Sequence, residues 1–410
     1  MNSKLKFLTV FLMLCLLASL PQSTDNRVLT QDSSYIPAAV RDYWPTNGWL
    51  NSTPEEQGMD STRLQEMLDY IEDNHIAIHS VVVIKNGYKV LEEYPTGMYD
   101  RDSTHLLYSV TKSFTSALVG IAIDKGYIDN VSIPMLSFFP NYNITNEDPR
   151  RELITIEHLL EMRSGLFWDE SSAPYSSPAN GVYHINNGDG VEFMLNADIV
   201  ADPGTLWHYN TGGSHLLSAI VQVATGMTTL EFAQENLFEP LNISPAYWSR
   251  DLAGWYKGGF DLRMTTLSMA KFGFLFLNNG TWDGQQIISE EWVHSSTSTI
   301  TQVDDYTGYG YQWWTTPDFG MYSARGLYAQ YIYVIPEHDI VVAFSSNIRS
   351  GAYAPENLVP RFILPDNSAP DDHELVSGIL TMSTALALVI PVAVVGGYWV
   401  LVVRKRVPQT

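Results

Sequence analysis

Ser109, Val110, Thr111 and Lys112 open an apolar run that continues through Phe114, Ala117, Leu118 and Ile121. On a helix, residues three apart share a face, so this spacing sets a serine hydroxyl beside a lysine amine. A serine hydroxyl is a poor nucleophile until a base takes its proton, and a lysine in a dry pocket gives up its charge readily enough to act as or assist that base. The helix N-terminus adds positive potential that favours the neutral amine and presents the Ser109 N–H to a developing oxyanion. The implied chemistry is acyl transfer through a covalent serine intermediate. The spacing alone is not distinctive, because Ser3 and Lys6 repeat it with no chemistry attached, and a helix N-cap is the structural alternative for Ser109.

A second polar group stands in the run Pro203, Gly204, Thr205, Leu206, Trp207, His208, Tyr209, Asn210, Thr211, Gly212. Together, "YSVTKSFTSALVG", "TIEHLLEMRSGL", "PGTLWHYNTGGSHLLSAI" and "GGFDLRMTTLSMAKFGFLFLNNG" resemble the class C β-lactamase-related serine hydrolases. Within that group they are most like the branch of 6-aminohexanoate-dimer hydrolases and related esterases. The resemblance runs from about Pro45 to about Asn347 and uses separated motifs in the family's order. It implies that Ser109 is the acyl-forming nucleophile, Lys112 its partner and Tyr209 the phenol that shuttles a proton. A phenol with a pKa near 10 becomes a plausible base only beside a cation, which Lys112 supplies. The alternative for Tyr209 is a core tyrosine with a satisfied hydroxyl.

Two departures from the family pattern narrow the substrate. The Tyr-x-Asn motif reads Tyr209, Asn210, Thr211, and the last motif, often Lys-Thr-Gly or His-x-Gly, reads Gly326, Leu327, Tyr328, Ala329, Gln330. No cation remains there to hold a carboxylate, although Arg325 stands just before it, so β-lactamase activity is the less expected outcome. The strand still offers a backbone N–H, assigned to Leu327, as the second half of an oxyanion hole. The expected function is cleavage of a small-molecule ester or amide. A non-catalytic surface binding protein and a D-peptidase or β-lactamase are the alternatives.

Ten histidines invite a Ser-His-Asp reading, but no Gly-x-Ser-x-Gly elbow is present, and an extended segment would turn His208 away from Tyr209. His158 and Glu161 lie at helical spacing without a third ligand, so neither metal nor cofactor is expected. Tyr306, Tyr309, Tyr311, Trp313 and Trp314 fit core and rim packing better than a cleft lining, while Tyr175 and Tyr183 fall in a Ser/Pro/Asn/Gly-rich stretch suited to a loop over the cleft.

The elements that must position these groups are mixed. Val81 to Ile84 and Lys89 to Glu92 flank Asn86 and Gly87 as a hairpin, and Ala329 to Ile335 with Ile340 to Ser345 form another. Between them, Ser113–Lys125, Ile156–Met162, Leu216–Val223 and Thr266–Leu277 read as helices. Strands at both ends and helices between predict an α+β, β-lactamase/penicillin-binding-protein-like fold, with one antiparallel sheet built from the first and last parts of the chain and the site at its seam with the helices.

Composition sets the outer bounds. Apolar residues make up 45% and charged residues 17%, enough for a sizeable core. Acidic residues outnumber basic ones 45 to 23, and the net charge of −22 disfavours nucleic acid. Cys15, the only cysteine, lies in the N-terminal apolar run behind bulky residues unsuited to a lipidation signal, so the domain holds no disulfide. Lys4 and Lys6 before that run predict a signal peptide over 1–23. A hydrolase domain over 24–364 follows, with a polar linker over 365–374. The stretch 375–403 carries no charge and ends at Arg404, Lys405 and Arg406, which predicts a transmembrane helix with a cytoplasmic tail, 404–410, and an extracytoplasmic catalytic domain. Sequons beginning at Asn51, Asn130, Asn143, Asn242 and Asn279 suit that exposure.

Overall fold

A computed structural model describes residues 38–244, 247–349 and 355–365. The expected signal peptide, the charge-free C-terminal helix and the basic tail lie outside the described residues. In chain order the strands are β1 (Ile78–Lys85), β2 (Tyr88–Glu93), β3 (Thr104–Leu106), β4 (Tyr247–Trp248), β5 (Leu262–Thr265), β6 (Thr281–Trp282) and β7 (Gln285–Gln286). They continue as β8 (Thr301–Gln302), β9 (Gly308–Tyr309), β10 (Trp314–Thr316), β11 (Met321–Gly326), β12 (Gln330–Ile335) and β13 (Ile340–Ser346).

One antiparallel sheet runs in the order β2-β1-β13-β12-β11-β10-β9-β8. Both expected hairpins are in it, and β1 pairs with β13, so the first and last strands meet. The first hairpin turns at Asn86 (φ 53°) and Gly87 (φ 87°), two left-handed residues whose twist matches that of the flanking strands. A second small sheet, β3-β5-β4, leads into the residues of the site.

Strand alternation sorts the core into two layers. Val82, Ile84, Ile332, Val334, Val341 and Ala343 face the helical region, packing with Phe272, Phe274 and Phe276 of the helix Thr266–Leu277. Val81, Val83, Tyr333, Val342 and Phe344 face the opposite way, against Leu64, Met67 and Ile71 of the helix Ser61–Asp73 and the closing residues Leu358 to Leu364. The fold is therefore α+β, a large antiparallel sheet covered by helices on both faces. Among the described residues no single helix is long and apolar enough to cross a membrane.

The helix Thr111–Asp124 is buried from Thr111 to Ala122, enclosed by the helical region with Phe114 stacked on Phe272 at 3.7 Å between ring centres. Its polar residues gather in the first turns, where Ser113 Oγ donates to the Gln312 carbonyl at 2.8 Å and Thr115 Oγ1 to the Gly258 carbonyl at 2.7 Å, while Ala117 to Ala122 are apolar throughout. The expected helix Leu216–Val223 extends to Thr211–Thr225. Its first turn is Thr-Gly-Gly-Ser, a composition that conceals helix from periodicity, but the Asn210 side chain accepts from the Gly213 N–H and Gly226 ends the helix at φ 68°.

Candidate active site

Ser109 sits in the short 3₁₀ turn Tyr108–Val110, between β3 and the buried helix. Tyr108 holds a left-handed conformation at φ 48°, an unfavourable backbone for an aromatic residue immediately before the serine. The helix begins after Val110 with no side-chain cap, so the Ser109 hydroxyl does not serve as one and the N-cap alternative fails.

Lys112 Nζ reaches Ser109 Oγ at 2.9 Å, Thr211 Oγ1 at 2.9 Å and the Gly259 carbonyl at 3.0 Å. The lysine is 1% exposed. Burial pulls its pKa down to about 8, against the opposing charge of Glu170. The Tyr209 phenol stands close enough to the Ser109 side chain to be influenced by it, and the Lys112 ammonium lies 4.8 Å from the centre of the phenol ring. Burial, with the Glu170 charge second, raises the phenol pKa well above its ordinary value, and the Ser109 contact works in the opposite direction. The three groups thus converge on one hydroxyl.

Their supports come from several elements. Gly259 has no room for a side chain, since a Cβ there would lie 2.6 Å from Thr211 Cγ2 and 3.4 Å from Lys112 Nζ. Gly326, the last residue of β11, lies so close to the serine turn that a Cβ would come within 2.4 Å of the Leu107 carbonyl. Thr211, in the place where the family motif carries asparagine, keeps a polar contact with Lys112, while Asn210 caps the following helix. Trp314 stacks on Tyr209 at 5.9 Å, with Tyr309 and Trp207 edge-on and tilted beside it.

Ser109 opens onto a cavity of about 200 Å³ that Tyr175, Thr211, Phe260, Glu170 and Leu327 also line. Leu327 follows β11, so a strand end and a helix start flank the same space. Burial and the charge of Glu170 push the Tyr175 phenol up to about 12, leaving it a neutral donor at the cavity wall. Arg325 is absent from this lining. Its guanidinium donates to Ser323 Oγ at 2.8 Å and Thr316 Oγ1 at 3.1 Å and lies 5.4 Å from the centre of the Trp314 ring.

Other expected candidates fall elsewhere. His208 Nε2 is bonded to the Trp168 carbonyl, and His158 completes a capping box with Thr155 at a helix start. Tyr183 packs its ring on His184, Tyr311 and Trp313 belong to the core, and Tyr306 is exposed. Sequence reasoning missed Glu170, whose loop carries no periodic signal, and the Gly259 carbonyl. The paired glycines Gly258 and Gly259 were the available hint of a close backbone approach.

The sheet-and-helix frame, with a buried lysine against a serine at the seam, is that of the serine hydrolases that share the β-lactamase and penicillin-binding-protein fold. A family model described as Beta-lactamase matches residues 56–360, well over half of the sequence, and the chain belongs to that family as a serine hydrolase. The chain is similar to the 6-aminohexanoate-dimer hydrolase of Paenarthrobacter ureafaciens, 24% identical over 343 residues that span 78% of this chain and 81% of that protein. The Burkholderia gladioli esterase EstB is 23% identical, over 46% of this chain and 53% of its own length. Among solved structures, the octameric penicillin-binding protein homologue from Pyrococcus abyssi superposes with a TM-score of 0.57 at 20% identity, covering 73% of this chain and 75% of that one.

Proposed function

We propose that the protein hydrolyses a small ester or amide through an acyl-enzyme on Ser109, with Lys112 as base and Tyr209 as proton shuttle. The observation that carries this reading is the placement of Lys112 Nζ among three oxygens. As an ammonium it donates to all three. As an amine it donates to Thr211 and Gly259 and turns its lone pair to the Ser109 O–H, so one geometry accommodates both states.

Ser109 Oγ then bonds to the substrate carbonyl carbon while its proton passes to Lys112. The oxyanion is met by the backbone N–H groups of Ser109 and Leu327. The carbonyl–leaving-group bond breaks as Tyr209 donates a proton to the departing oxygen or nitrogen, and Lys112 restores the phenol. Water repeats the sequence on the acyl-enzyme, with the Ser109 oxygen as leaving group. The ester and amide chemistry named for the relatives supports this class of substrate, and the absence of Arg325 from the cavity lining argues against one held by a carboxylate.

A fluorophosphonate probe should label the purified protein, and Ser109→Ala should abolish the label. Labelling that persists in the variant refutes the assignment. We propose further that the chain acts outside the cell, anchored by the uncharged stretch before Arg404, Lys405 and Arg406. The full chain should remain with membranes after an alkaline wash while a chain ending at Pro365 does not. Release of both would remove the anchor.

A further inference from the structure

Of the residues lining the cavity at Ser109, two carry charge, Glu170 and Asp261. Asp261 is already engaged, its Oδ2 taking Lys257 Nζ at 2.9 Å and Ser249 Oγ at 2.6 Å. Glu170 accepts the Trp168 indole N–H on one oxygen, and among the described residues no lysine or arginine forms an ion pair with it. Around it stand the rings of Tyr108, Tyr175 and Phe260 with Val182 and Leu327, and the uncharged polar side chains of Ser109, Asn186 and Thr211 complete the lining with Asp261.

We infer that this cavity selects esters or amides bearing an ammonium group, which Glu170 holds among the rings of Tyr108, Tyr175 and Phe260 while Ser109 meets the carbonyl. The inference rests on Ser109 being the nucleophile. A carboxylate that forms no ion pair, set in a cavity lined by aromatic rings, matches ammonium in two ways. It supplies the counter-charge for a charge-assisted hydrogen bond, and the rings attract the cation through their faces. A carboxylate-bearing substrate meets the reverse, two acids and no free cation. The net charge of −22 gives the same sign to the field outside the cavity.

Selection of this kind also couples to the chemistry. The Glu170 charge favours the ammonium form of Lys112 and disfavours ionisation of Tyr209. A substrate cation seated on Glu170 offsets that charge and moves Lys112 toward the free amine needed to attack the Ser109 proton. A cationic substrate therefore primes its own base, and a neutral one does not.

The test uses two matched pairs, one with the cation on each side of the scissile bond. Acetylthiocholine is compared with its neutral thioester isostere in which carbon replaces nitrogen. A p-nitrophenyl ester whose acyl chain ends in trimethylammonium is compared with one ending in tert-butyl. In at least one pair kcat/KM should favour the cation by about ten-fold or more. In Glu170→Gln that ratio should fall toward unity whatever happens to the absolute rates, and in Asp261→Asn it should persist. Should Glu170→Gln fail to fold, added salt should depress the preference of the unaltered protein without changing the neutral rates. Ratios near unity in both pairs, with neutral esters still hydrolysed in a Ser109-dependent way, overturn the selectivity and leave the hydrolase standing. No Ser109-dependent hydrolysis of any of the four esters overturns both.

Discussion

Lys112 is caught between burial, which favours its amine, and Glu170, which favours its ammonium, and the balance leaves its pKa pulled down to about 8. Because the amine is the working form, kcat/KM should rise with pH through a limb near that value. Glu170→Gln removes the opposing charge, so the limb should move to lower pH. A limb that stays in place or moves upward in the variant would show that the amine is not the group being titrated. The same residues mark what a sequence discloses at this scale. Ser109 and Lys112 were legible because three residues on a helix is a local relation, and Tyr209 because its motif keeps a fixed order with theirs. Glu170 and Gly259 reach Lys112 only through the fold, from loops with no period. Thr211 looked like loss of a motif, yet its hydroxyl still makes a contact with the lysine.

At the scale of elements, the serine is placed by a wedge. The turn carrying it is held between the end of β11 and the start of β5, where the Leu107 N–H donates to the Leu262 carbonyl at 2.9 Å and Gly326 abuts the Leu107 carbonyl. A methyl group at Gly326 would press hardest on the backbone of the serine turn, 2.4 Å from the Leu107 carbonyl oxygen and 3.2 Å from the Val110 nitrogen, so Gly326→Ala should shift the turn by a fraction of an ångström. Misplacement on that scale costs roughly ten- to a hundred-fold in rate while disturbing little of the core. Activity should therefore fall far more than Tm, and equal, modest losses of both would mean that the close approach is packing alone. The strands were readable because Val81 to Ile84 and Ile340 to Ser345 are bounded by turn residues. The short strands β8, β9 and β10 were not: β8 is only Thr301 and Gln302, Tyr309 and Trp314 of the other two satisfy core and strand equally, and the succession of pairings from β11 through β10 and β9 to β8 settles the matter.

At the scale of the molecule, the sheet needs cover on both faces, and the outer face receives it from the two ends of the described chain. The helix Ser61–Asp73 buries only Leu64, Met67 and Ile71 there. The remaining cover comes from Leu358, Val359, Phe362, Ile363 and Leu364, which arrive after the last strand, and the Arg63 guanidinium donates to the Arg361 carbonyl at 2.7 Å to tie the two covers together. Five buried apolar side chains at about 1.5–3 kcal/mol each amount to as much as the net stability of a typical domain, about 5–15 kcal/mol. A chain ending at Arg349 should then fail to give a stable fold, because Val83, Tyr333 and Val342 would face water, whereas one ending at Pro365 should melt cooperatively. The point variant Phe362→Ala, which leaves the strands and the site untouched, should lose about 3 kcal/mol and lower Tm while its kcat stays unchanged. If the two truncated chains melt at the same temperature, the closing segment is decoration on the sheet and the helix Ser61–Asp73 alone suffices to cover it.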